Sequence, residues 1–172
     1  GLDYFRLTED EFKKQENIKK QKEVFISQIE FAKKVKKPLI VHIREASNDS
    51  RQILMDYNAK EVGGVLHCYN ASEHLLPLSE HNFYFGIGGV LTFKNAKKLI
   101  EVLPKIPKNK LLIETDAPYL TPHPHRGERN EPYYTVFVAQ KMAELLQINE
   151  EEIQKLTTNN AKKLFKEFSS LS

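Results

Sequence analysis

The chain has 172 residues, 40% of them apolar and 28% charged, which suits one soluble domain with a sizeable core. No apolar run approaches the roughly 20 residues that span a bilayer, no signal-peptide pattern is visible, and the lone cysteine, Cys68, excludes an intrachain disulfide, so a reducing cytoplasm is the expected setting. The net charge of +3 and pI of about 8.8 permit contact with a polyanion without demanding it.

In chain order, Gly1 to Tyr4 reads as the tail of a strand, so the chain is expected to begin within an element. Residues 9–36 predict a long helix whose apolar stripe is Phe25, Ile29, Ala32 and Val35, with Pro38 helping to stop it. The pairs Lys13-Lys14, Lys19-Lys20, Lys33-Lys34 and Lys36-Lys37 read first as solvated faces, with a phosphate track as the alternative. Leu39 to Ile43 predicts a buried strand. Asn48 or Asp49 is then expected to cap a short helix carrying Ile53, Leu54 and Tyr57. After the Gly63-Gly64 turn, Val65 to Tyr69 predicts a second strand. Ser72 to His81 follows as a short helix or turn broken by Pro77. Phe83 to Ile87 predicts a third strand, Asn95 to Leu103 a helix, and Leu111 to Thr115 a fourth strand. A loop rich in Pro, His and Arg occupies Ala117 to Glu131. Pro132 suits a first helical position for a helix reaching about Gln147. Asn149 with Glu152 predicts a cap for the next helix, and a last helix is expected to hold Leu164, Phe165 and Phe168. Strands alternating with helices over short connections argue for a parallel sheet of βαβ units in one domain, residues 1–172.

The residues with chemistry gather at strand ends. Side chains two apart share a face, so Ile40, His42 and Arg44 point one way, as do Val65, His67 and Tyr69, and likewise Glu114 and Asp116. Active sites of parallel α/β folds lie at the C-terminal strand ends. Two imidazoles and an acidic pair there suit a divalent ion such as Zn, Mn or Mg. Each residue also has a plainer reading: a rim histidine bound by a hydrogen bond, or an Asp116 that only begins a turn. Glu114 resists that reading, because it follows Leu111-Leu112-Ile113 and a buried carboxylate needs a partner or a metal. Cys68 is expected to point away from the His67 face as a packing residue. His123 and His125 read as rim residues, and His74 and His81 as surface residues. The stretch Arg126 to Pro132 is dense in donors that match phosphate and lies just before a helix, although a surface loop of internal ion pairs fits equally.

Several segments recur together in one known family. They are Gly1-Leu2-Asp3-Tyr4, Pro38 to Ala46 with Val41-His42-Ile43-Arg44, Gly64 to Tyr69 with His67-Cys68-Tyr69, and Gly86-Ile87-Gly88-Gly89. They continue with Leu112 to Pro122 around Glu114-Thr115-Asp116-Ala117-Pro118-Tyr119-Leu120, then Arg126-Gly127-Glu128-Arg129-Asn130-Glu131-Pro132, and late Asn160-Ala161 with Leu164-Phe165. In this order, and over essentially the whole chain, they resemble the TatD family of metal-dependent hydrolases. The resemblance implies a TIM-type (β/α) barrel with one or two divalent ions, Mg2+ foremost with Mn2+ or Zn2+ as alternatives. It also implies deoxyribonuclease activity, often 3′→5′ exonucleolytic, on single-stranded DNA or duplex ends. On that pattern His42 and His67 are ligands of one metal, Asp116 serves the other metal or the attacking water, and Glu114 orients the site. Arg44, Tyr69, Arg126, Arg129 and Asn130 face the substrate. The family carries a His-x-His pair and a bridging Glu upstream of the Gly-Leu-Asp-Tyr segment, and neither occurs here. About a third of a usual family chain is therefore expected to be absent, leaving an incomplete barrel of the last four to five βα units. A catalytically incomplete fragment that self-associates through exposed sheet edges is the competing expectation, and a metal hydrolase of a non-nucleic ester or amide is another.

Overall fold

A computed structural model describes residues 1–166. Its five strands are β1 (Leu2–Asp3), β2 (Leu39–Arg44), β3 (Gly64–His67), β4 (Phe83–Ile87) and β5 (Leu111–Ile113). They form one sheet in the order β1-β2-β3-β4-β5, and every neighbouring pair is parallel. The helices are α1 (Glu11–Val35), α2 (Ser47–Asp56), α3 (Lys97–Val102), α4 (Thr135–Leu146) and α5 (Glu150–Leu164). Strand order follows chain order without reversal, which distinguishes a barrel-type winding from a doubly wound sheet. The architecture is the expected α/β TIM-type one, and the barrel is not closed over the described residues.

The two faces of the sheet carry different contents. Val41, Ile43, Leu66, Phe83, Phe85, Ile87 and Leu111 point into the main core, where they meet Phe25 and Ile29 of α1, Leu54 of α2, and Met142 of α4. Burial of each such large side chain contributes about 1.5–3 kcal/mol, so this layer is the main source of stability. The opposite face carries Val65, Tyr84 and Leu112, which pack against Ala161, Leu164 and Phe165 at the end of α5. On that same face, nearer the strand C-termini, stand His42, His67, Gly86 and Glu114; Gly86 is in register with Leu112, so Glu114 lies two residues further along. The apolar group of Val65, Tyr84 and Leu112 is thus the floor beneath the residues that carry chemistry. Ile40, in the same layer on β2, is 66% exposed.

The ends of the elements show where local sequence and tertiary context part. Asp10 caps α1 by accepting from the Lys13 N–H, and Asn149 caps α5 by accepting from the Glu152 N–H, the latter as its spacing predicts. The expected Asn48 or Asp49 cap of α2 is replaced. The helix begins at Ser47, and Asp49 instead accepts from the Tyr4 hydroxyl at 2.9 Å and pairs with Lys22 at 2.7 Å, tying α1, β1 and α2 together. Residues 73–81 form a 3-10 helix that accommodates Pro77, and residues 132–134 form a 3-10 turn before α4. Phe168, expected on the apolar side of the last helix, lies outside the described residues.

Asn160, buried in α5, donates from Nδ2 to the carbonyls of Lys108 at 3.0 Å and Leu111 at 2.8 Å, which fixes α5 to the start of β5. Asn160→Ala removes both bonds between the helix and the start of β5. A destabilisation of about 1–3 kcal/mol is expected, read as a lower urea midpoint with unchanged slope; an unaltered midpoint would deny Asn160 this role.

Candidate metal centre

The site is assembled where β2, β3 and β5 end. His67 is the last residue of β3, and its ring lies between two carboxylates from beyond β5. Nδ1 is 3.0 Å from Glu114 Oε2, and Nε2 is 2.9 Å from Asp116 Oδ1. The second Glu114 oxygen, Oε1, accepts from the Cys68 backbone N–H. One ligand atom from each of His67, Glu114 and Asp116 falls within 4.8 Å of the others. Glu114 is the most enclosed of the three, with a side chain only 16% exposed.

Gly86 makes this arrangement possible. It sits on β4, between the strands that carry His67 and Glu114, and a Cβ there would come 2.0 Å from Glu114 Oε2. The glycine is therefore a gap in the middle strand through which the carboxylate reaches across to β3. In the sequence Gly86 stands out only as part of the Gly86-Ile87-Gly88-Gly89 segment, since nothing local reveals what its missing side chain admits.

Two carboxylates around one imidazole set its charge. The Glu114 hydrogen bond, helped by the negative charges of Glu114 and Asp116 and opposed by burial, raises the His67 pKa to about 9. At neutral pH, without a metal, the ring is an imidazolium that donates from both nitrogens. Burial, with the Asp116 carboxylate next, pushes the Cys68 thiol up to about 12. Cys68 lines the same cavity as His67 and Asp116, which overturns the expectation that it points away. Strand alternation ends at His67, and Cys68 adopts φ +46°, so the period-two rule no longer applies to it. The same break carries Tyr69 to the other side. Its ring packs edge-on to Phe85 in the main core and its hydroxyl donates to the Ser72 carbonyl, although the residue still borders the cavity.

His42 borders the cavity as well and is the register partner of His67 on β2. It stands outside the three-residue cluster. Its Nε2 lies 2.9 Å from Asp3 Oδ2 of β1. The Asp3 carboxyl lies below its usual range: a burial penalty is outweighed by the Phe5 N–H, His42 and the Arg44 charge. Arg44, also on the cavity wall, holds its guanidinium 3.5 Å over the Phe5 ring centroid, which fixes its plane. Neither Asp3 nor Phe5 was identifiable as a site residue, because their partners lie 39 residues away or more.

The loop residues do not join the cluster. Arg126 donates to the Thr121 carbonyl at 3.1 Å and lies 4.0 Å over the Phe93 ring. Arg129 is 79% exposed and 3.8 Å from Glu131. Asn130 is buried and donates to Tyr119 O at 2.6 Å and Thr115 Oγ1 at 3.2 Å, bracing the loop from within. His125 stacks on Tyr134 at 4.4 Å.

The donor set fits a divalent ion. It offers imidazole nitrogen and carboxylate oxygen, which suit Mg, Mn or Zn. Both Glu114 oxygens are already engaged, by Nδ1 and by the Cys68 amide, so Nε2, on the Asp116 side, is the His67 nitrogen that would serve a metal. With an ion bound, this would be a carboxylate–histidine–metal arrangement, in which the outer carboxylate fixes the ring and strengthens it as a donor.

Among known proteins, residues 1–166 match the family described as TatD related DNase. An uncharacterized metal-dependent hydrolase of Bacillus subtilis, YabD, is 51% identical over 147 residues, covering 85% of this chain and 58% of the relative. An uncharacterized metal-dependent hydrolase of Escherichia coli, YcfH, is 38% identical over 166 residues, covering 96% of this chain and 60% of the relative. The crystal structure of the TatD homolog YJJV from Escherichia coli superposes with a TM-score of 0.85 at 28% identity, over 96% of this chain and 61% of that one. The chain thus spans about three-fifths of the length of these proteins. Among the described residues no helix is long and apolar enough to cross a membrane.

His67 in chelator-treated protein is expected to titrate near 9 by NMR, and Glu114→Gln and Gly86→Ala should each bring it down toward the ordinary 6.5. A folded-state pKa above the unfolded one contributes stability that is complete below 6.5 and is lost as pH rises through about 9. The metal-free protein should therefore melt at progressively lower temperature across that window, and His67→Gln should flatten the decline; an unchanged slope in that variant would contradict the assignment.

Proposed function

This chain belongs to the TatD-related DNase family, and on that premise we propose that the protein is a metal-dependent hydrolase that cleaves phosphodiester bonds of DNA, removing nucleotides from 3′ ends. The observation that carries the reading is the His67 ring clamped between Glu114 and Asp116 at the C-terminal strand ends, in one cavity with His42 and Arg44. His67 Nε2, Asp116 and His42 would hold the ion, with Mg2+ as the working metal and Mn2+ or Zn2+ compatible with the same donors. A bound divalent ion supplies Lewis acidity toward a phosphoryl oxygen and lowers the pKa of water.

The protein's own groups do the rest. Glu114 holds His67 through Nδ1 and keeps Nε2 aimed at Asp116. Asp116 accepts the proton of the attacking water as general base. Arg44, its guanidinium held flat on Phe5, faces the charge that accumulates on the phosphate oxygens. The apolar floor of Val65, Tyr84 and Leu112 keeps water from entering beneath the cluster and so strengthens these charge interactions.

Asp116→Asn in the full-length protein should lower hydrolysis of a 3′-ended oligonucleotide by about 10²–10⁴-fold with circular dichroism unchanged. Wild-type turnover by that variant, in a preparation free of other nucleases, would sink the assignment. Chelation should abolish activity and a divalent-metal series should restore it. Glu114→Gln should weaken metal affinity about 10–100-fold, measured by calorimetry. Equal affinity would show that Glu114 does not support the ligand.

A further inference from the structure

The cavity that holds His67 and Asp116 also covers residues with no part in metal binding or proton transfer. Its volume is about 590 Å³, and its wall includes Val90, Leu99, Leu120 and Tyr119. An anionic phosphodiester draws nothing from such a wall, whereas a planar, largely apolar group does.

Tyr119 is held in an unusual way. Its ring is 74% exposed, yet its backbone is fixed on both sides. The N–H donates to Asp116 O at 2.8 Å, and the carbonyl accepts from Asn130 Nδ2 at 2.6 Å. The next residue, Leu120, adopts φ +53°, a left-handed conformation that costs a branched side chain roughly 1–2 kcal/mol. Its carbonyl occupies the space above Gly89, where a Cβ would come to 2.2 Å. Strain of this kind persists where surrounding contacts impose it, and here they fix the backbone from which the Tyr119 side chain projects. Among the described residues the ring has no stacking or cationic partner. An exposed aromatic face on a fixed backbone, three residues from Asp116 and without a stacking partner among the described residues, suits base stacking, which is tolerant of sequence because every base has a π face.

We propose that Tyr119, with the apolar wall of Val90, Leu99 and Leu120, forms a nucleobase subsite that seats the 3′-terminal base of single-stranded DNA and so sets the adjoining phosphodiester against His67 and Asp116. The proposal rests on the phosphodiester reading above and gives it a substrate form. The terminal base must leave its stack, so single-stranded and frayed ends are preferred to blunt duplex ends.

The test is the affinity of full-length, magnesium-loaded protein for two labelled oligonucleotides that differ only at the 3′ terminus, one with a normal nucleoside and one abasic. A phosphorothioate last linkage in each slows cleavage during the fluorescence-anisotropy titration. Wild-type protein should prefer the nucleoside terminus about tenfold, within the range that base–aromatic stacking supplies. Tyr119→Ala should bind the two alike while melting at the wild-type temperature, and Tyr119→Phe should keep the preference. A wild-type protein indifferent to the terminal base, or a Tyr119→Ala variant that retains the preference, overturns the subsite and leaves the phosphodiester reading standing. Failure of wild-type protein to bind either oligonucleotide overturns both.

Discussion

A single carboxylate organises the site. Glu114 leaves the end of β5, passes through the gap at Gly86 in β4, and reaches β3, where one oxygen meets the His67 ring and the other the Cys68 amide. The side chain is largely withdrawn from water, and an unpaired anion there would cost several kcal/mol. Two donors from β3 offset that cost, so the bond that orients the imidazole also links strands that are not neighbours in the sheet. The price is a glycine within β4 between Phe85 and Ile87, where a side chain would otherwise pack.

The same backbone device ends both histidine-bearing strands. Glu45 directly follows β2 at φ +54°, and Cys68 directly follows β3 at φ +46°. Neither is glycine, so each conformation is strained and must be held by its surroundings. At Cys68 the holding contact is visible, because the turned amide is the one that donates to Glu114. The left-handed turn moves the Cys68 side chain into the cavity and the Tyr69 ring into the core in one step.

These turns also mark the limit of what the sequence discloses. Apolar runs ending in His42, His67 and Glu114 give the strands, their parallel order and the end at which chemistry collects, because period-two alternation holds along a strand. Beyond its last residue the rule fails, which is why Cys68 and Tyr69 exchange their expected sides. The Asp3–His42 pair spans 39 residues and the Cys68–Glu114 bond spans 46, separations that no local pattern encodes. Asp49 illustrates the same limit at a helix end. Its residue type suits a cap, but Tyr4 and Lys22 claim its carboxylate from elsewhere in the chain. The loop arginines were legible as donors, but their seats on Phe93 and beside Glu131 follow from how the loop folds.

The charge of the cluster bears on how a polyanion could approach it. With His67 protonated, Glu114, Asp116 and the imidazolium together carry one net negative charge, and Asp3 adds another nearby. Arg44 and Lys98 on the cavity wall oppose this field from its margin. A phosphodiester therefore meets repulsion at the bare site. Replacing the His67 proton by a divalent ion makes the three-residue cluster neutral, and the wall cations then dominate the cavity. On the proposed reading, metal and phosphate binding would be coupled by this change of sign, each tightening the other by the same factor. The coupling would originate in the two carboxylates that hold His67, which favour its proton in the bare protein and would leave the same ring to a bound ion.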